Sequence, residues 1–407
     1  MKILKRTLIV ILCGVMMLSA VVPALAAADI DLSRPVNAHL TFGDDDKLTI
    51  LQITDIQDDE TLSCLAKAAI RRAIKEVQPD LIVLTGDNIS GPSCKTKLEA
   101  TIALKSVMKV LDPFGIPVAA VFGNHDDEST PLTKFDQMEI YESYGCFIGC
   151  AGVVAEKTVG ENTMTNVGTY NIPVFESEDS DKVIYNIWCF DSGNYNPDDT
   201  YGSYGYVLPE QLDWYVEKSN ELKAANGGEV VPSIAFQHII PPQIFGILKE
   251  VEPGTPGAIE KNGKYYVLPD DIDPQTNWLS EAPCPPSVYF EPGYAELETM
   301  LGQGDVQAVF VGHDHINAYS VPYNGINLVC SPSCGFYAYN DEHGGFRVIT
   351  VDKDDTSSYD TYTILTSDLF KGNIFLTICF DIHAFIRKAG DFFEDLGDRI
   401  SDYFNNR

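Results

Sequence analysis

Positive charge is scarce in this chain. Lys and Arg total 28 among 407 residues, against 59 Asp and Glu, for a formal net charge of −31. Such a surface repels nucleic-acid phosphates at long range, which argues against a binder with a basic groove. It leaves a phosphate substrate open, because bound metal cations reverse the local field. There is no internal repeat and no low-complexity tract, so a repeat array is set aside. With 45% hydrophobic residues the chain can bury a real core and is not a disordered one. No CxxC pair with a matching partner exists, which weakens any zinc-ribbon reading. Histidine is rare as well, with seven in the chain, and where those seven fall becomes informative below.

What is there begins with an address. Lys2, Lys5 and Arg6 precede an apolar run from Leu8 to about Leu18, and Pro23-Ala24-Leu25-Ala26 offers small residues for cleavage after Ala26. Residues 1–26 therefore read as a secretory signal, and the protein as secreted or extracytoplasmic, with the cell surface as one location. The competing reading is an uncleaved anchor helix, against which the run is short for a span. Of ten cysteines, Cys13 lies in this leader and nine remain. Export permits disulfides, and Cys146/Cys150 and Cys330/Cys334 are close in sequence. Small buried residues are the equal alternative.

The body, residues 27–368, opens as alternating strand and helix. Leu48–Ile53, Leu81–Leu84 and Pro117–Phe122 are apolar strand patterns, and Leu62–Val77 and Thr96–Leu111 are helical ones. That alternation predicts a parallel sheet covered on both faces. Further strands are expected at Gly168–Val174, Val183–Asp191, Val231–Phe236, Val306–Val311, Ile326–Cys330 and Phe346–Val351, with a helix over Leu208–Leu222. Residues 241–290 read as a long loop or insertion rich in Pro and Gly. The tail, 369–407, differs: Phe375, Ile378, Ile382, Phe385, Ala389, Phe392, Leu396, Ile400 and Tyr403 recur at helical steps as one apolar stripe. Packing on its own domain, self-association and membrane-surface contact are the open readings, with acidic residues on the polar face counting against the membrane.

Polar motifs stand where the strands end. In order they are Asp55 and Gln57, Asp87, Asn124 and His125, His238, then His313 and His315. An Asp at one strand end is ordinarily a turn or cap residue. The set is another matter, because four of the seven histidines fall at these ends and His39, His343 and His383 do not. Carboxylates, an amide and imidazoles together suit two divalent or trivalent ions such as Mn, Fe or Zn. A pair of ions polarises a phosphoryl group and generates hydroxide at neutral pH.

The blocks Asp55-Ile56-Gln57, Gly86-Asp87-Asn88, Gly123-Asn124-His125-Asp126, His238 and Gly312-His313-Asp314-His315 resemble those of the calcineurin-like metallophosphoesterase superfamily. Asp191-Ser192-Gly193, Glu210-Gln211-Leu212 before Trp214, and Phe236-Gln237-His238-Ile239 are most similar to its purple acid phosphatase-like, Dcr2-type branch. The resemblance covers roughly residues 46–351. It implies an α/β (α+β) fold, a four-layer α/β/β/α sandwich with the C-terminal amphipathic helix appended. It implies a metal-dependent phosphatase or phosphoesterase hydrolysing small phosphate esters through a dimetal-bound hydroxide. Asp55 and His315 would hold the first metal, Asp87 would bridge, and Asn124, His238 and His313 would hold the second. His125 would sit beside the phosphate, stabilising the transition state or protonating the leaving oxygen.

Two departures matter. The first block carries Gln57 where the family has histidine, so the first metal is expected to bind less tightly or to favour an oxygen-loving ion such as Mn²⁺ or Mg²⁺, unless Gln57 serves from behind the ligands. Ser90 stands where purple acid phosphatases carry a ligating tyrosine, so no iron–tyrosinate colour is expected. The alternative reading is a catalytically weakened metal- or phosphate-binding module of the same fold, for which Gln57 speaks.

Overall fold

The structure is a computed structural model, and it describes residues 39–128, 130–198, 204–287, 294–337 and 343–387. The leader at 1–26 and the tail beyond 387 lie outside these residues. Apolar runs bounded by turn residues become strands. β1 (Leu40–Thr41) and β2 (Lys47–Ile53) precede helix α1 (Cys64–Val77), β3 (Leu81–Thr85) precedes α2 (Lys97–Leu111), and β4 (Val118–Val121) precedes α3 (Lys134–Glu142). Side chains fix the helix starts. Ser63 Oγ accepts from the Ala66 N–H at 3.1 Å, and Thr96–Glu99 and Thr133–Asp136 form reciprocal capping boxes.

The middle of the chain supplies β5 (Val153–Val159), β6 (Asn162–Phe175), β7 (Val183–Cys189), α4 (Pro209–Ala225), β8 (Ser233–Phe236) and α5 (Ile244–Ile247). β9 (Lys249–Val251), β10 (Ile259–Lys261) and β11 (Lys264–Val267) pair as a small antiparallel sheet. Then come α6 (Glu296–Gln303), β12 (Val306–Val311), β13 (Tyr319–Tyr323), β14 (Ile326–Cys330), β15 (Gly345–Asp352), β16 (Asp355–Leu365) and α7 (Thr366–Phe370).

Two large sheets result. One has five strands in the order β16-β15-β2-β3-β4, and the other eight, ordered β1-β6-β7-β8-β12-β14-β13 with β5 on β6. Each has a parallel centre, β2-β3-β4 in the first and β7-β8-β12-β14 in the second. Their inner faces share one core: Ile50, Val83, Val121 and Ile349 from the first sheet cluster with Ile187, Ile234, Phe236 and Phe310 from the second. On the outer face of the eight-stranded sheet, Trp188, Ala235 and Val309 pack with Leu212 and Tyr215 of α4 and Met300 of α6. Helices α1 and α2 follow β2 and β3 and bury Ala66, Ile70, Ala73, Leu104 and Met108. The layers are thus helix, sheet, sheet, helix.

Several sequence expectations need correction. Strand–helix alternation predicts a parallel sheet covered on both faces, and the covering of the eight-stranded sheet is helices on its outer face and the other sheet on its inner one. The segment 241–290 is not merely a loop, since it holds β9–β11. β5, β13 and β16 carry no apolar signal strong enough to read, and β16 is an edge strand whose residues alternate between exposed and half-buried. Neither Cys146/Cys150 nor Cys330/Cys334 forms a disulfide, and Cys146, Cys330 and Cys334 are buried thiols.

By contact the chain divides into Ser33–Thr366 and a second unit that includes Ser367–Arg407. In the latter, Gly372 turns with φ of +81° and Asn373 Oδ1 accepts from the Leu376 N–H at 3.1 Å, starting a helical segment over 374–387. Ile374, Phe375, Ile378 and Phe385 are exposed on it. The stripe from Ala389 onward lies outside the described residues. No helix among the described residues is long and apolar enough to cross a membrane.

One buried ion pair links the loops of the two sheets. Lys134 Nζ, at the start of α3, lies 2.7 Å from Asp191 Oδ2 at the end of β7, and both side chains are shielded from water. Replacing Lys134 by Met leaves a buried carboxylate without its cation and should cost about 3–5 kcal/mol in urea denaturation. Lys182→Met, which breaks the exposed Lys182–Glu176 pair, should cost about 1 kcal/mol or less. Equal losses for the two variants would contradict this ranking.

Candidate metal centre

The polar residues singled out from sequence all follow parallel strands. Asp55 and Gln57 come after β2, Asp87 after β3, Asn124 and His125 after β4, His238 after β8, and His313 and His315 after β12. The chain turns sharply at these ends. Asp55, Gln57, Asp87 and His313 all have positive φ, at 52°, 37°, 51° and 68°. Left-handed backbone at non-glycine residues costs of order 1–3 kcal/mol each and persists where surrounding contacts impose it. The glycines of the motifs have a steric reason. A Cβ on Gly86 would lie 2.5 Å from His238 Nδ1, one on Gly123 2.2 Å from Asp87 Oδ1, and one on Gly312 2.5 Å from Asp55 Oδ2. Each glycine lets one loop close onto a side chain of another.

Two overlapping clusters form. Ligand atoms of Asp55, Asp87 and His315 lie within 4.8 Å of one another, as do those of Asp87, His238 and His313. Asp87 belongs to both. His238 Nε2 is 3.3 Å from Asp87 Oδ2 and 4.0 Å from Asp55 Oδ1, and His315 Nε2 is 3.3 Å from Asp55 Oδ1. Surrounding bonds aim these groups. Asp55 Oδ2 accepts from Thr54 Oγ1 at 2.7 Å and from the His313 N–H at 3.0 Å, and Asp87 Oδ1 accepts from the His125 N–H at 2.8 Å. His238 Nδ1 faces the Thr85 carbonyl at 3.0 Å, which places the proton on Nδ1 of the neutral ring and leaves Nε2 as the ligand atom.

The atoms left over are those a cation would use. Asp55 Oδ1, Asn124 Oδ1, His238 Nε2 and His313 Nε2 are buried without a hydrogen-bond partner among the described residues. A buried polar atom without a partner is costly, and those of Asp55, His238 and His313 lie in the clusters around Asp87, where mixed oxygen and nitrogen donors fit a metal centre. Electrostatics agree. Burial opposes the charged form of His238, yet Asp87 and then Asp55 raise it to about 10. Burial, with His238 beside it, depresses His313 to about 3. The protein without ions therefore keeps a proton on His238 between two carboxylates, and a metal would displace it.

Gln57 lies against Asp87. Its Nε2 donates to Asp87 Oδ2, so the amide nitrogen rather than the oxygen faces the bridge position. Other functional groups went unread in the sequence. Asp126 closes the motif Gly123-Asn124-His125-Asp126, and its carboxylate accepts from four backbone N–H groups: Gly123 (2.7 Å), Asp87 (2.9 Å), Asn88 (2.9 Å) and Ile89 (3.1 Å). It thereby locks the Asp87 loop to the Asn124 loop. Glu128 pairs with His125 Nδ1 and orients that ring. Tyr195 OH lies 3.4 Å from Asn124 Nδ2, and the Tyr204 ring stands edge-on to His313 with centroids 4.5 Å apart. Asp126 was visible as part of its motif; nothing in sequence spacing marks Tyr195 or Tyr204.

The packing of Gly123 against Asp87 yields a test. Gly123→Ala should push the Asp87 carboxylate aside and weaken Mn²⁺ binding at least about tenfold by calorimetry, with circular dichroism unchanged. Wild-type affinity in that variant would contradict the placement of Asp87.

Comparison with known proteins identifies the family. Residues 48–317 match the calcineurin-like phosphoesterase family. The chain is 26% identical over 347 residues to an Arabidopsis thaliana protein named probable inactive purple acid phosphatase 28, covering 79% of each chain. It is 28% identical over 312 residues to phosphatase DCR2 of Saccharomyces cerevisiae, covering 70% of this chain and 48% of that one. Among solved structures, a dimetal phosphatase from Danio rerio aligns with a TM-score of 0.42 at 12% identity, over 78% of this chain and 98% of that one. The chain belongs to the calcineurin-like phosphoesterase family, a family of phosphoric ester hydrolases.

Proposed function

We propose that this protein is a secreted metallophosphoesterase that hydrolyses small phosphate esters with two bound metal ions. Secretion rests on the sequence of residues 1–26. The observation that carries the chemistry is the gathering around Asp87 of Asp55, His238, His313 and His315, side chains of three other loops, in two overlapping clusters. Asp55 and His315 would hold one ion, Asn124, His238 and His313 the other, with Asp87 between them. Bound there, the ions would polarise a phosphoryl oxygen and supply hydroxide for in-line attack.

The chain's own residues do the rest. Asp87 is held by the His125 N–H and the Asp126 clamp, so its two oxygens keep fixed directions. His125 is half-exposed at the cluster's edge, with Glu128 on Nδ1. That leaves Nε2 to deliver a proton to the departing oxygen, with Glu128 setting the ring's orientation. Among the described residues, no Lys or Arg bonds to Asp55, Asp87 or Asn124. Charge compensation at the phosphate would come from the metals and His125.

A second reading has one observation in its favour. The Gln57 amide occupies an oxygen of Asp87, and an imidazole present in the family is missing. A module that binds metal or phosphate with weak turnover would follow, consistent with a relative whose name includes the word inactive.

Asp87→Asn should lower kcat/KM on an artificial phosphate ester by at least about 10³, equivalent to about 4 kcal/mol of transition-state stabilisation, with the fold retained. An unchanged rate would reject Asp87 as the bridge. Gln57→His should keep more metal than wild type after dialysis, measured by elemental analysis, and should raise turnover. Equal metal content in both forms would place Gln57 outside the ligand set.

A further inference from the structure

Two tyrosines flank the half of the centre formed by Asn124, His238 and His313, and the family motifs account for neither. The Tyr204 ring stands edge-on to His313 (4.5 Å, 81°), and Tyr195 stacks on Tyr204 (5.9 Å, 24°) through an isolated antiparallel bridge. Both rings are half-buried, unlike the fully buried aromatics of the cores. The segment carrying Tyr195 is held firmly. Asp191 takes Lys134 and the Gly193 N–H (2.8 Å), Ser192 Oγ accepts from the Ile239 N–H (3.0 Å), and Asn194 Nδ2 donates to Asp127 Oδ1 (3.0 Å). Asn194 Oδ1 then accepts from the Tyr195 N–H at 2.6 Å. The loops bearing His125 and His238 therefore both fix where Tyr195 stands.

We propose that Tyr195 and Tyr204 form the subsite for the organic group of the ester, and that this group is a planar, uncharged aromatic ring. The inference rests on the phosphoesterase reading and names the substrate class for that site. Two observations select the class. A pre-positioned pair of partly exposed rings beside the metal ligands offers stacking or edge-on contact to another ring at little entropic cost. The charges beside Tyr195 disfavour an anionic group: Glu128 and Asp127 lie on this side, and the Lys134 charge is taken by Asp191. A second phosphate or a carboxylate on the substrate would meet carboxylates there, whereas a phenyl-like group would meet tyrosine.

Phosphonates test this without the intrinsic reactivity of aryl esters intruding. Binding of phenylphosphonate and methylphosphonate to the full chain loaded with Mn²⁺ is measured by calorimetry. Wild type should prefer phenylphosphonate by about tenfold, Tyr204→Phe should keep the preference, and Tyr204→Leu should reduce it to about twofold or less. Equal affinities in wild type would overturn the proposal whatever the variants do, and so would an undiminished preference in Tyr204→Leu. Hydrolysis of phenyl phosphate and ethyl phosphate is followed in parallel. Loss of both reactions in wild type, with the phosphonate preference intact, would count against the hydrolytic reading and leave the aromatic subsite standing.

Discussion

Asp55 and Asp87 are buried side by side, and that constraint governs the rest of the site. Taking two carboxylates out of water costs several kcal/mol per ion unless positive charge accompanies them. The nearest cationic groups of the chain are imidazoles, of which His238 lies against both acids and gains a proton in consequence. One proton is a poor neutraliser of two charges, while two metal ions are ample. Asp55 Oδ1, Asn124 Oδ1, His238 Nε2 and His313 Nε2 are in keeping with this, being buried without a hydrogen-bond partner among the described residues.

Holding such a cluster requires loops from both sheets to meet. The shared core between the sheets sets their separation, and the carboxyl ends of their parallel strands bring Asp55, Asp87 and Asn124 against His238, His313 and His315. Loop closure is then a matter of sterics and clamps. Gly86, Gly123 and Gly312 remove the side chains that would strike the neighbouring loop, and Asp126 ties two loops through four amide hydrogens. The positive φ values at Asp55, Gln57, Asp87 and His313 are the backbone cost of aiming these residues inward.

Much of this was legible in the sequence, for a physical reason. Buried parallel strands are short apolar runs, so their ends can be found, and polar residues immediately after them stand out. The rarity of histidine sharpened that signal. β16 escaped notice because an edge strand facing water needs little apolar surface, and β9–β11 because they lie among Pro and Gly. Tyr195 and Tyr204 meet partners that folding alone brings near, while Asp126 stands within its motif and Glu128 three residues after His125. The Lys134–Asp191 pair was hidden in the same way, because a lysine at a helix start usually faces solvent.

Crystals grown with Mn²⁺ and measured for anomalous scattering would locate the ions. Two peaks should flank the Asp87 carboxylate, one on the side of Asp55 and His315 and the other beside Asn124, His238 and His313. Crystals saturated with Mn²⁺ that show no peak at Asp87, with His238 still ion-paired to the carboxylates, would overturn the dimetal centre.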